Sequence, residues 1–126
     1  VADVVLNRVK DTRYPNTICE VVKEGPIKES WKTRQHADLP DDQRVYFPKR
    51  NKCQFSWYCD GKPDTIRDGD AWRQAQIVAY RITYNERHRG LTEGATHYHA
   101  DYVHPKWAST LQLVGRIATH IFYRWP

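Results

Sequence analysis

Two cysteines, Cys53 and Cys59, bracket Gln54-Phe55-Ser56-Trp57-Tyr58 and run directly into Asp60-Gly61. An Asp-Gly pair marks a turn, so this stretch reads as a short loop and not as part of a helix or strand. A loop pinned in this way holds flat aromatic rings and polar side chains in fixed positions. Sugar-binding clefts use that combination, because a sugar offers hydroxyls at its edges and apolar C–H faces. The same residues also suit a purely structural loop closed by a disulfide. A third cysteine, Cys19, makes the count odd and leaves at least one thiol free or paired between chains. An oxidising compartment makes one disulfide plausible. Cys53 with Cys59 is the local pairing, whereas Cys19 with either partner would tie the first helices to the loop. Spacing does not choose between them. With no CxxC pair, a zinc site built from these thiols has little support.

Apolar spacing organises the rest. Val1, Val5 and Val9 recur at i, i+4, i+8, with Val4 and Leu6 beside them, which predicts a helix over residues 1–10. Thr17 and Glu20 form a capping box ahead of Ile18, Val21 and Val22, so a short second helix follows, ending near Gly25. Residues 25–52 are charged and aperiodic and read as one long loop, a length that tends to be functional or mobile. Asp68 or Asp70 caps a third helix from Ala71 to about His88, whose buried stripe is expected at Ala71, Trp72, Ala75, Val78, Ala79 and Ile82. Residues 95–102 and 111–123 are rich in β-branched and aromatic residues and read as extended, with Gly115 marking a bend or bulge. The sum is an α+β domain, helices packed on a small antiparallel sheet.

Composition sets the outer limits. A chain of 126 residues is the size of one domain with a core of its own. No run approaches the roughly 20 apolar residues of a membrane span, so no membrane insertion is expected. The net charge of +5 favours polyanionic partners such as nucleic acid, anionic lipid or a bacterial wall. The basic residues are interleaved with acids, as at Lys23-Glu24 and Lys28-Glu29, which argues against a nucleic-acid stripe. There is no methionine, even at position 1, so the sequence reads as a processed chain or a piece of a longer product.

The densest set of chemically able side chains is Thr96-His97-Tyr98-His99-Ala100-Asp101-Tyr102-Val103-His104-Pro105-Lys106-Trp107. His97, His99 and Asp101 share one face of a strand and could ligate a metal, giving a metal-dependent hydrolase. No partner motif such as HExxH accompanies them. The other reading is a carbohydrate cleft, in which rings stack on sugars and His or Tyr fix the hydroxyls. Ser56 lacks the GxSxG context of a nucleophile, and no phosphate-binding glycine loop is present.

Several segments in order carry a resemblance. They are Val4-Val5-Leu6-Asn7-Arg8-Val9, Tyr14-Pro15-Asn16-Thr17-Ile18-Cys19-Glu20-Val21-Val22, Cys53-Gln54-Phe55-Ser56-Trp57 with Cys59-Asp60-Gly61, Ala95-Thr96-His97-Tyr98-His99, Pro105-Lys106-Trp107, Gly115-Arg116-Ile117 and His120-Ile121-Phe122-Tyr123. Together they resemble the SleB-like cell-wall hydrolases, a family that includes spore-cortex-lytic enzymes and phage relatives, over nearly the whole chain. The resemblance implies a lysozyme-like α+β fold and one catalytic domain over residues 1–126. It implies cleavage of the β-1,4 bond between N-acetylmuramic acid and N-acetylglucosamine, by a lytic transglycosylase or a muramidase, with no cofactor. It also implies a monomer acting outside the cytoplasm, in periplasm or spore cortex, or a phage-encoded enzyme acting on the wall. Its partner would be peptidoglycan, not nucleic acid.

A single glutamic acid suffices for such chemistry. It protonates the leaving oxygen and then, as carboxylate, takes the proton from the muramic acid C6 hydroxyl. In the family that glutamate lies about ten residues before the VVLNRV segment, upstream of Val1. Glu20 matches a helix-cap position and is not the equivalent. The resemblance carries substrate contacts to Gln54, Phe55, Ser56, Trp57, Tyr98, His99 and Trp107, and leaves His120 open between a cleft contact and a structural role tying the last strand to the core. Without the glutamate, a non-catalytic wall-binding module is the competing expectation.

Overall fold

A computed structural model describes every residue, Val1–Pro126. In chain order the elements are α1 (Ala2–Lys10), α2 (Ile18–Val22), β1 (Ile27–Glu29), α3 (Trp31–Arg34), β2 (Tyr46–Pro48), α4 (Gly69–Tyr84), β3 (His97–Ala100), β4 (Gln112–Ile117) and β5 (His120–Arg124). Single 3₁₀ turns occur at Asp41–Gln43, Ser56–Tyr58 and Lys106–Thr110. The fold is α+β, as expected. Two compact units form, residues 1–21 with 66–126, and residues 22–65.

In the first unit a three-stranded antiparallel sheet has the order β3-β5-β4. Its inner side packs on α1. Val4, Ala95 and Phe122 are buried together, with Tyr98 and Val114 at their margin. Residues 111–123, expected as one strand, are two. The chain folds back through Ala118, whose positive φ of 52° supplies a tight turn, and Ile117 then pairs with His120. The irregularity expected at Gly115 is a bulge: Leu113 faces Tyr123 and Gly115 faces Phe122, leaving Val114 between them.

Helix α4 begins where expected. The Asp68 carboxylate accepts from the backbone N–H groups of Asp70 and Ala71 at 3.1 and 3.0 Å. It stops at Tyr84, short of His88, because Glu86 and His88 adopt left-handed backbone conformations that end a right-handed helix. Its stripe departs most from expectation. Of Ala71, Trp72, Ala75, Val78, Ala79 and Ile82, only Ile82 is buried. Amphipathic spacing makes the helix but does not supply a neighbour to cover it.

The second unit contains the segment expected as a long loop. It holds a two-stranded antiparallel ribbon pairing Ile27 with Pro48, Lys28 with Phe47 and Glu29 with Tyr46. Helix α3 follows β1, capped by Ser30. Each strand has three residues, too few for alternation to show in the sequence.

Candidate functional site

In residues 22–65 the loop is closed as its local spacing allowed. Cys53 and Cys59 form the disulfide, and Cys19 is a free, exposed thiol. The Cys53 backbone N–H donates to Cys59 Sγ at 3.2 Å and that of Asn51 to the Cys59 carbonyl at 2.9 Å. Asp60 closes the following turn by accepting from the Lys62 N–H at 2.9 Å. Two glycines permit close approach. A Cβ on Gly25 would lie 2.9 Å from Cys53 Cα, and one on Gly61, at φ +77°, would lie 2.6 Å from the Arg50 guanidinium.

Inside this frame the four candidates separate by exposure. Phe55 is buried and its ring lies 5.6 Å from that of Trp57, which is 47% exposed. Gln54 and Ser56 are exposed, with the Gln54 backbone N–H held by the Glu24 carbonyl at 3.0 Å. The loop therefore offers one accessible indole and two free polar side chains, on a backbone fixed by a cross-link and a buried ring.

In the first unit the sheet divides the remaining candidates. Alternate strand residues point to opposite sides. Tyr98 lies on the core side, 6.1 Å from Phe122 and 5.3 Å from His120, ring to ring. His120 also neighbours Phe122 and belongs to the same packing. His97 and His99 point the other way, where Trp107 comes over from the 3₁₀ turn. Its ring lies 5.2 Å from His97, 5.8 Å from His99 and 5.5 Å from Tyr123. His99 and Trp107 thus form one aromatic cluster, and Tyr98 belongs to another.

The hydrogen bonds set the state of the histidines. His99 Nδ1 lies 2.7 Å from the Ala100 carbonyl, which can only accept, so Nδ1 carries the hydrogen. Its Nε2 lies 2.9 Å from the Tyr123 hydroxyl. His97 Nδ1 meets Thr96 Oγ1 at 2.9 Å. Burial, then the nearby Arg8 and Arg13 charges, pushes the His97 pKa down to about 4. Asp101 accepts from Arg116 at 2.8 Å. The three residues considered as metal ligands are thus committed to other partners, and no group of three His, Cys, Asp or Glu is arranged to hold a metal ion.

A buried polar network underlies this unit and was missed in the sequence. The Asp3 carboxylate accepts from the Gly90 N–H at 3.1 Å, the Thr92 N–H at 3.0 Å and the Thr92 hydroxyl at 2.6 Å, and it pairs with Arg89. Asn7 donates to the Ala95 carbonyl at 2.8 Å, and Arg8 to the Thr96 carbonyl at 2.7 Å. Helix α1 therefore anchors the whole approach to β3. Burial raises the Asp3 pKa, but the Thr92, Gly90 and Arg89 contacts outweigh it and hold the carboxyl below its ordinary value. Asp11 and Glu29 are also held low, by hydrogen bonds from Arg13 and Arg44. A general acid needs the opposite displacement. The one available signal was the i, i+4 spacing of Asp3 and Asn7 on a helix that is otherwise apolar there.

Comparison with known proteins adds the context. The family model for cell wall hydrolases matches residues 1–123. No curated protein matches the chain. Among solved structures, the catalytic domain of the germination-specific lytic transglycosylase SleB from Bacillus anthracis is similar. Its TM-score is 0.53 at 22% identity, over 98% of this chain and 74% of that one. At that identity the likeness shows the fold, which is lysozyme-like.

Proposed function

Starting from the fact that this chain belongs to the cell wall hydrolase family, we propose that it cleaves peptidoglycan glycan strands at the β-1,4 bond between N-acetylmuramic acid and N-acetylglucosamine. The family match over residues 1–123 carries this reading. Residues 1–126 act as one catalytic domain, and the general acid is a glutamate contributed from outside them. Asp3, Asp11 and Glu29 are held below the ordinary carboxyl range, the wrong direction for any of these three to be that acid. The reaction is of the lytic transglycosylase or muramidase type. In the first, the same glutamate returns as base to the muramic acid C6 hydroxyl, which closes on C1. The similar SleB domain, itself a lytic transglycosylase by its description, favours that branch.

Substrate contacts fall to Gln54, Phe55, Ser56 and Trp57 in one unit and to Tyr98, His99 and Trp107 in the other. Trp57 and Trp107 supply ring faces and Gln54 and Ser56 hydrogen bonds, while buried Phe55 supports Trp57, His99 borders Trp107, and Tyr98, packed on Phe122, positions β3 from the core side. The protein works as a monomer on the wall, from the host's extracytoplasmic side or as a phage product. The Cys53–Cys59 disulfide fits an oxidising setting.

Mass spectrometry of the soluble products from purified peptidoglycan tests the reading. With the upstream segment present, muropeptides with anhydro ends identify a transglycosylase and reducing ends a muramidase. Release by residues 1–126 alone would place the acid within them, against this proposal. Wall binding without release in both forms would leave a binding module.

A further inference from the structure

The ribbon of the second unit is built inside out. Its interior is polar. Glu29 accepts from Arg44 at 2.9 Å and from the Thr33 hydroxyl at 2.9 Å. Arg44 also donates to the His36 and Ala37 carbonyls at 3.2 Å each. The Ser30 N–H reaches the Val45 carbonyl at 2.7 Å, and the Lys49 N–H the Pro26 carbonyl at 2.9 Å. No residue from Val22 to Gln54 is buried. The apolar side chains are instead on the outside, where Trp31 is 59% exposed, Phe47 51% and Tyr46 48%.

A segment that holds its backbone by polar bonds and leaves three rings about half exposed has those rings available for contact. The network fixes the backbone beforehand, so binding needs little further ordering.

We propose that this ribbon is an accessory glycan-binding surface, taking peptidoglycan strands through Trp31, Tyr46 and Phe47. The inference rests on the peptidoglycan reading above and adds a place that the candidate substrate contacts do not include.

Three observations select this occupant. Exposed rings on a fixed backbone match the apolar C–H faces of sugars. Residues 26–52 carry seven Lys or Arg against four Asp or Glu, which complements the carboxylates of the wall's stem peptides. Lys28 stands directly opposite Phe47 in the ribbon, so a cationic group and a ring meet on one flank. Tyr46 points to the opposite flank, along with Ile27. A lipid surface wets one side of an element lying on it, whereas a narrow glycan strand can lie against either flank. Rings on both flanks therefore favour the strand over the bilayer.

Co-sedimentation with insoluble, purified peptidoglycan tests the proposal on protein that includes the segment upstream of Val1, with muropeptide release measured on the same samples. Phe47→Ala and Trp31→Ala are expected to weaken retention about tenfold each, the size of one lost ring contact. Phe47→Trp, which keeps a ring, is expected to restore it. The equally exposed Tyr80→Ala on α4 is expected to leave retention unchanged. Thermal melts of all variants should match the parent, because the replaced side chains are exposed. Full retention by the alanine variants, on a parent that binds and cleaves, would overturn the ribbon and leave the enzyme reading intact. A parent that neither binds nor releases anything would overturn both. Ring-dependent capture by phosphatidylglycerol vesicles, without capture by walls, would assign the surface to lipid and end the proposal. Ring-dependent wall retention without any release would keep the ribbon and remove the enzyme.

Discussion

Helix α1 buries Val4, Val5, Asp3 and Arg8, whereas α4, nearly twice as long, buries only Ile82. Both helices have apolar residues at helical spacing, and both start and stop close to where their sequences say. They differ in what lies against them. Helix α1 has neighbours on two sides, Phe122 of the sheet against Val4 and α4 alongside it, and its polar side chains reach the backbone before β3. Trp72, Val78, Tyr80 and Tyr84 of α4 remain between 45 and 73% exposed. Periodicity shows that a segment will be a helix. Whether the stripe becomes core depends on elements distant in sequence.

The comparison breaks most easily at Asp3. Its carboxylate satisfies two backbone N–H groups and a hydroxyl and pairs with Arg89. It also ties down a loop in which Glu86, His88 and Glu93 hold left-handed backbone conformations, each of which costs about 1 kcal/mol or more. Asp3→Ala leaves the partly buried Arg89 charge with only neutral acceptors, the Asn7 side chain and the residue-3 carbonyl, and leaves two N–H groups unpaired. The expected loss is about 3–5 kcal/mol, read as a fall in the urea midpoint. Asp3→Asn, which keeps one acceptor oxygen, should lose less. Val4→Ala comes next. Val4 has no exposed surface and meets Ala95 and Phe122, so the expected loss is about 2–3 kcal/mol by the same measurement.

The difference between these helices also marks how far the sequence could be read. The Cys53–Gly61 loop was legible because everything that shapes it is local: two thiols, a buried ring and an Asp-Gly turn. The strands around His97 and Phe122 were legible as extended chain. Their two sides were not distinguishable, since Tyr98 and His99 are both aromatic or nearly so, and only the position of α1 makes one side the core. Asp3 could not be matched to Thr92 because the partners are 89 residues apart. The ribbon was read as loop for a different reason. Its strands are three residues each and its interior is an ion pair, so it carries neither the length nor the apolar alternation that reveals a strand.

Acid should sharpen the contrast, because the charges of α1 lie against the sheet. His97, with its pKa held at about 4 by burial and by Arg8 and Arg13, stays neutral in the folded protein. In the unfolded chain the same group takes up a proton near pH 6.5. The unfolded state therefore binds more protons between pH 6.5 and 4, and stability falls as pH drops through that window. After allowance for solvent screening at a partly buried ring, the loss is about 1–2 kcal/mol. His97→Gln should flatten stability between pH 6.5 and 4, and an NMR titration should show His97 unprotonated at pH 5. A midpoint near 6.5 would mean that the ring is open to water. Asp3 adds to the acid loss at lower pH, because its depressed carboxyl must be protonated there.

The smallest expected effect tests the other side of the comparison. Val78 is 45% exposed on the α4 stripe, so Val78→Ala removes two methyl groups that touch little. The expected change is within about 0.5 kcal/mol, and the better helix propensity of alanine can bring it to zero or below. Ile82→Ala, on the same stripe but buried, should lose about 2–4 kcal/mol. The pair isolates burial from helix formation, since both substitutions leave an α-helix intact. A loss at Val78 as large as that at Val4 would mean that the stripe is covered in solution. A urea midpoint that rises with protein concentration would then show that a second copy of the chain covers it, because only an intermolecular contact responds to concentration.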